Sequence, residues 1–218
     1  MINKALKYLL IFFVSFVFVQ KANGLEDFNF NITEIEILNE GDLFKGLKRG
    51  TATTKEGLEI TADEFEYDKI LNVLNAKGKV EIKDNLKDYV IFAKEITYLK
   101  NQEKIFTSGK TKALINSKYN FFTEDIIFFR DEMKLSSSKK SEILDNEFTS
   151  YKLDKFEYSL TEKILKGLNI EVTTNSNLSK NDMDIYQFKD GIFNLENKNF
   201  LASDTKIRIK KDTFEDER

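Results

Sequence analysis

Two stretches of this chain carry the same pattern at a spacing of 31 residues. ITADEFEYDKILNVLNAKGKVEI, from Ile60 to Ile82, lies without a gap over IFAKEITYLKNQEKIFTSGKTKA, from Ile91 to Ala113. The identities fall at Ile60/Ile91, Ala62/Ala93, Glu64/Glu95, Tyr67/Tyr98, Lys69/Lys100, Gly78/Gly109 and Lys79/Lys110. A period near 30 residues describes stacked supersecondary units, none of which can bury its apolar face alone. Each unit must therefore find its core against a copy of itself.

Within a unit the apolar residues alternate. GLEITA sets Leu58, Ile60 and Ala62 on one face against Glu59 and Thr61 on the other. KVEIKD does the same with Val80 and Ile82 against Lys79, Glu81 and Lys83. Period two with one apolar face marks a half-buried strand, and Phe, Tyr, Ile, Val and Thr suit it. After Ala62 the apolar positions jump by one, to Phe65 and Tyr67. A one-residue slip sends side chains to the opposite face unless the chain bends, so the spacing predicts a corner or bulge at Asp63–Glu64, Lys94–Glu95 and Glu124–Asp125.

Three looser copies follow. FFTEDIIFFRDEMKLSSSKKSEI (Phe121 to Ile143) keeps the acidic corner and sets Phe128 where Tyr67 and Tyr98 stand. YKLDKFEYSLTEKILKGLNIEV (Tyr151 to Val172) restores an aromatic pair at Phe156 and Tyr158 and a glycine at Gly167. DIYQFKDGIFNLENKNFLASDTKIRI (Asp184 to Ile209) is the loosest. The stretch 149–168 could pass for a helix, but its alignment with the other copies reads it as strands. Proline is absent, which leaves turns to Gly, Asn and Asp. The expectation is an all-β fold of antiparallel strands in layers.

Composition narrows the chemistry. No Cys means no disulfide and no thiolate nucleophile, and no His removes the usual general base and transition-metal ligand. The chain holds 34 basic and 37 acidic residues without a basic stripe, which speaks against nucleic acid. The corner carboxylates Asp63, Glu64, Glu95, Glu124, Asp125 and Asp154 lack the loop spacing of a Ca²⁺ site. They suit turns, and no pair of them stands out as an acid–base couple. No catalytic residue, metal site or cofactor is expected. Residues 1–24 read as an export signal peptide, with a retained N-terminal anchor as the alternative: Lys4 and Lys7, then the apolar run Tyr8 to Val19, short for a membrane span, then Ala22 and Gly24 before a cut.

Taken together, these residues resemble the OstA-type repeat of the lipopolysaccharide transport proteins. The shared pattern is an apolar strand, Ala-Asp at a corner, an aromatic-x-Tyr and then Ala-x-Gly-x-Val-x-Ile. It stands most fully at Ala62, Asp63, Phe65, Tyr67, Ala76, Gly78, Val80 and Ile82. The likeness covers about residues 28–210 and is strongest to the periplasmic N-terminal domain of LptD-type LPS-assembly proteins, with the LptA and LptC types as relatives. It implies a β-jellyroll, a partly open twisted sandwich of antiparallel strands, over residues 25–212, with 213–218 as a charged tail or linker. It also implies a periplasmic protein, outer-membrane associated if part of a longer LptD-like chain. Such a protein binds the lipid A acyl chains of lipopolysaccharide and passes the lipid toward outer-membrane assembly. Its partners would be other jellyrolls of the same system, paired edge to edge, and an outer-membrane barrel domain or protein. The amphipathic runs of such a barrel and the cysteines that join domains in many LptD-type proteins are not among these 218 residues. That leaves a jellyroll portion of a longer protein or a stand-alone jellyroll of LptA type.

On this resemblance the lipid would be lined by Leu58, Ile60, Ala62, Phe65, Tyr67, Leu74, Ala76, Val80, Ile82, Ile91, Ala93, Ile96, Tyr98 and Ile105. Phe121, Ile126, Phe128, Leu135 and Ile143 continue the set. Alternation marks burial of any kind, so the same residues would also make the core of a filled sandwich. The strands FNFNITEIEIL and TKIRIKK are the candidate docking edges, offering Phe28, Phe30 and Ile32 at one end and Ile207 and Ile209 at the other. Outward Lys79, Lys83 and Lys110 would meet lipid A phosphates or form a solvated face. The competing readings are an exported structural or adhesive β-repeat and, behind it, a carbohydrate-active enzyme.

Overall fold

Alternating apolar residues bury only one face of a strand, and the computed structural model shows how the chain uses that face. It describes residues 28–84, 86–179 and 183–209. The expected signal peptide at 1–24 and the tail at 213–218 lie outside them. The described chain forms twenty strands, with two single 3₁₀ turns at Asn39–Gly41 and Lys100–Gln102. Every pairing is antiparallel. No described helix is long and apolar enough to cross a membrane.

The strands group into bent rungs. β1 (Asn29–Asn31) and β2 (Ile35–Leu38) form the first, and β3 (Leu43–Gly46) with β4 (Gly50–Thr53) the second. β5 (Glu59–Ala62) and β6 (Glu64–Asp68) make the third, while β7 (Val73–Asp84) and β8 (Tyr89–Leu99) are each a whole rung. β9 (Lys104–Ser108) with β10 (Lys110–Ile115), and β11 (Tyr119–Glu124) with β12 (Ile127–Phe129), follow in pairs. So do β13 (Lys134–Ser137) with β14 (Ser141–Leu144), and β15 (Ser150–Leu153) with β16 (Lys155–Ser159). β17 (Ile164–Thr173) and β18 (Ile185–Asn194) are again single long strands, and β19 (Phe200–Ser203) with β20 (Lys206–Arg208) closes a described series of twelve.

Each rung contributes half of itself to each of two facing sheets. The first sheet runs β1-β4-β5-β7-β8-β10-β11-β14-β15-β17-β18-β20. The second runs β2-β3-β6-β7-β8-β9-β12-β13-β16-β17-β18-β19. β7, β8, β17 and β18 belong to both, so the sheets are one folded surface, a β-jellyroll around a single core. Two rungs make one sequence repeat. The repeat is therefore a trip across the core and back.

The corners fall where the phase slips. Asp63 stands between β5 and β6, Asp125 between β11 and β12, and Asp154 between β15 and β16. The Asp63 amide donates to the carbonyls of Lys77 and Gly78, at 3.0 and 2.9 Å, and the ladder shifts register between Lys77 and Val80. Asp125 and Gly109 exchange bonds: the Gly109 amide donates to Asp125 Oδ1 at 2.8 Å, and the Asp125 amide to the Gly109 carbonyl at 3.2 Å. At the fourth copy Gly167 lies inside β17, and the left-handed residue near the corner is Asn169, whose amide side chain donates to Asp154 Oδ2 at 2.8 Å. The corner carboxylates thus tie neighbouring rungs to one another.

Candidate functional site

Register builds two apolar rows. In the second sheet, directly paired residues read Ile37, Phe44, Tyr67, Leu74, Tyr98, Ile105, Phe128, Leu135, Tyr158, Leu165, Phe193 and Phe200. In the first sheet they read Phe30, Ala52, Ile60, Ile82, Ile91, Ala113, Phe121, Ile143, Tyr151, Val172, Tyr186 and Ile207. The sequence period arises here. Tyr67, Tyr98, Phe128 and Tyr158 stand in one row on every second rung, and an aliphatic residue fills each place between them. Direct cross-strand neighbours of this kind are the unit of sheet stabilisation.

The nineteen residues named from sequence as a lining lie in or beside these rows. All are buried except Ala93, half-buried at the corner of β8. Across the core the ring centroids of Tyr89 and Phe128 stand 4.9 Å apart and those of Phe121 and Tyr158 5.1 Å. Among the described residues β1 and β2 pair on one side only, with β4 and β3, and β20 and β19 both pair only with β18. Both rows run out onto these free strands, where Ile37 is 62 %, Phe200 52 % and Ile207 55 % exposed. Of the edge residues named from sequence, Phe28 is buried against Tyr67 and Tyr98, with ring centroids 5.0 and 5.7 Å away. Phe30 and Ile32 are half-buried, and Ile207 and Ile209 are exposed. Ile35, Ile37, Leu38, Phe200 and Leu201 were not singled out from sequence and are exposed at the same ends. An alternating run shows that one face is apolar but not whether another strand lies beyond it.

The side of the sandwich opposite the corners is its mouth, where the turns of the two sheets face each other. Polar ties cross it. Lys100 of the β8–β9 turn reaches Glu56 of the β4–β5 turn at 3.5 Å. Arg130, after β12, donates from Nε to the Tyr89 hydroxyl at 3.2 Å and from Nη1 to the Tyr98 hydroxyl at 2.7 Å. It also pairs with Glu103, and its Nη2 lies 3.6 Å from Asp84 Oδ2. Farther along, the Tyr119 hydroxyl donates to the Leu195 carbonyl at 2.9 Å, and Lys198 donates to Asp145 Oδ2 at 2.6 Å. Burial raises the Tyr89 hydroxyl pKa to about 12 despite Arg130 beside it, and raises that of Tyr98 in the same way. Burial alone would raise the Asp145 carboxyl, but the bonds from Lys198 and the Thr149 amide outweigh it and hold the carboxyl below its ordinary value. At neutral pH both phenols stay protonated and the Lys198–Asp145 tie stays charged.

The outer faces are different in character. A groove of about 570 Å³ on the second sheet is lined by Lys45, Glu66, Asn75, Lys77, Thr97 and Phe106, a mixed and wet surface. Among the described residues no group of three or more acidic side chains converges as metal ligands do. Lys79 and Lys110 are exposed at the corners, and Lys83 is half-buried on the outer side of β7.

No family model matches the chain, and no curated protein matches it. Among solved structures it is similar to LptH, the LptA homologous periplasmic component of the lipopolysaccharide transport device from Pseudomonas aeruginosa. The two are 11 % identical over 72 % of this chain and 97 % of that one, with a TM-score of 0.30, a likeness too slight to bear on function.

Proposed function

We propose that this protein is a non-enzymatic periplasmic carrier. It takes the acyl chains of lipopolysaccharide between its two sheets and passes the lipid toward outer-membrane assembly. The observation that carries the reading is the pair of unbroken apolar rows, which run the length of the described sandwich and end on its outermost strands, with Ile37, Phe200 and Ile207 exposed. Burying a CH₂ group contributes about 0.8 kcal/mol, so a 12- to 14-carbon chain laid along the rows contributes up to roughly 10 kcal/mol before losses. The tail needs no hydrogen-bonding partner, only dry walls. At the ends, strand addition to β2 or β19 would continue both ladder and row into a second jellyroll or the periplasmic edge of an outer-membrane barrel protein. The sequence resemblance to OstA-type repeats supports the same reading.

The buried state of the rows favours one alternative, an exported structural β-repeat with a permanently filled core. Site-specific photocrosslinking separates the two. Crosslinkers at inward Leu74 or Ile82 are expected to capture lipopolysaccharide, and those at outward Glu81 or Lys83 are not. A folded protein that gives no lipid adduct at either inward position is the structural repeat.

A further inference from the structure

The sheets cannot part at the corners, where β7, β8, β17 and β18 run unbroken from one sheet to the other. They can part only at the mouth, and the mouth is held differently from the rest of the molecule. Its central tie places Arg130, 2 % exposed, between Asp84 of the first sheet and Glu103 of the second. Its second tie sets Lys198 on Asp145, whose carboxylate is fully buried. A buried ion pair gives up hydration to form and regains it on separation, so its net contribution is small beside that of an apolar contact of the same size. The polar ties therefore mark the side that opens at least cost.

The two aspartates share a construction. Asp84 Oδ1 accepts the amides of Leu86 and Lys87, each at 3.1 Å, while Oδ2 faces Arg130 and accepts no hydrogen bond. Asp145 Oδ1 accepts the amides of Glu147 and Thr149, at 2.9 and 2.8 Å, while Oδ2 takes Lys198. In each, one oxygen holds the turn and the other faces a cation carried by the opposite sheet. Releasing the cation leaves the turn intact.

We propose that Arg130 on Asp84 and Lys198 on Asp145 form a two-part clasp, and that the sheets swing apart about the corners to admit an acyl chain sideways through the mouth. The admission of a chain rests on the function proposed above, whereas the clasp itself does not. The chain has no cysteine, so pairs of introduced cysteines take spin labels cleanly. Exposed Lys87 and Asp131 flank the first clasp, exposed Asn146 and Asn197 the second, and exposed Lys94 and Lys110 report on the corner.

Lys198→Gln is expected to lengthen the Asn146–Asn197 distance, with Lys94–Lys110 unchanged, and Arg130→Gln to do the same at Lys87–Asp131. Lys198 is partly exposed, so its variant keeps the test open should Arg130→Gln fail to fold. Myristate, the acyl probe, is expected to widen both mouth pairs in the unaltered chain. Mouth distances unchanged in folded Lys198→Gln overturn the clasp, as does myristate that binds without widening the mouth. A mouth that widens in Lys198→Gln while myristate fails to bind leaves the clasp standing and removes the acyl-carrier reading.

Discussion

Gly78 and Gly109 look interchangeable in the repeat, and both hold a left-handed backbone, with φ of +77° and +72°. Their surroundings differ. A Cβ on Gly78 would stand 2.6 Å from Asp63 Oδ2 and 2.8 Å from Asp63 Cβ, whereas one on Gly109 would meet nothing within 4 Å. Gly109→Ala should cost only the left-handed strain, about 1–2 kcal/mol. Gly78→Ala should cost a further 1–3 kcal/mol or so of crowding. For a chain this size each kcal/mol lowers the melting temperature by about 2–4 °C, so the two variants should melt visibly apart. Equal losses would mean that Asp63 moves aside freely. The repeat of about 30 residues marks Tyr67, Tyr98, Phe128 and Tyr158 as a series. It is silent on Arg130, Asp84 and Asp145, because a charge beside a turn reads as solvated unless the facing sheet is in view.

Among elements, the corners were the most legible. A phase slip at Asp63–Glu64, Lys94–Glu95 and Glu124–Asp125 calls for a corner or a bulge, and in the structure the chain crosses there from one sheet to the other. The edges were partly legible. Phe28, expected at an edge, packs into the core, and Ile37 and Phe200 end the second row among the described residues. These ends yield a separable prediction. Ile207→Lys and Ile37→Asp sit on exposed positions, so each should leave stability within about 0.5 kcal/mol. Each should also weaken end-to-end association sharply, read as a loss of larger species in sedimentation at high protein concentration. Association unaffected by both changes would place any docking surface elsewhere. Ile143, buried in mid-row, is the contrast: Ile143→Ala should cost about 2–5 kcal/mol.

At the scale of the molecule, the jellyroll is a stack in which a rung touches little beyond its neighbours. Stability in such arrays is roughly a sum of local and nearest-neighbour contributions, and local opening is easiest where neighbours are fewest. Amide hydrogen exchange should therefore be fastest in β1, β2, β19 and β20. It should be slowest where β7 pairs with β8, the longest ladder in the molecule. Uniform protection from end to end would show instead that the core locks all rungs at once. The strands, their inward faces, the corners and the two-rung period can all be read from residue order, because period and phase are local properties of a chain that must bury one face. Residue order does not say which side chains meet across the core, which row ends are exposed or which ion pairs bridge the mouth. Each of those depends on what the opposite sheet brings within a few ångströms, and folding brings together residues as far apart in the chain as Asp145 and Lys198.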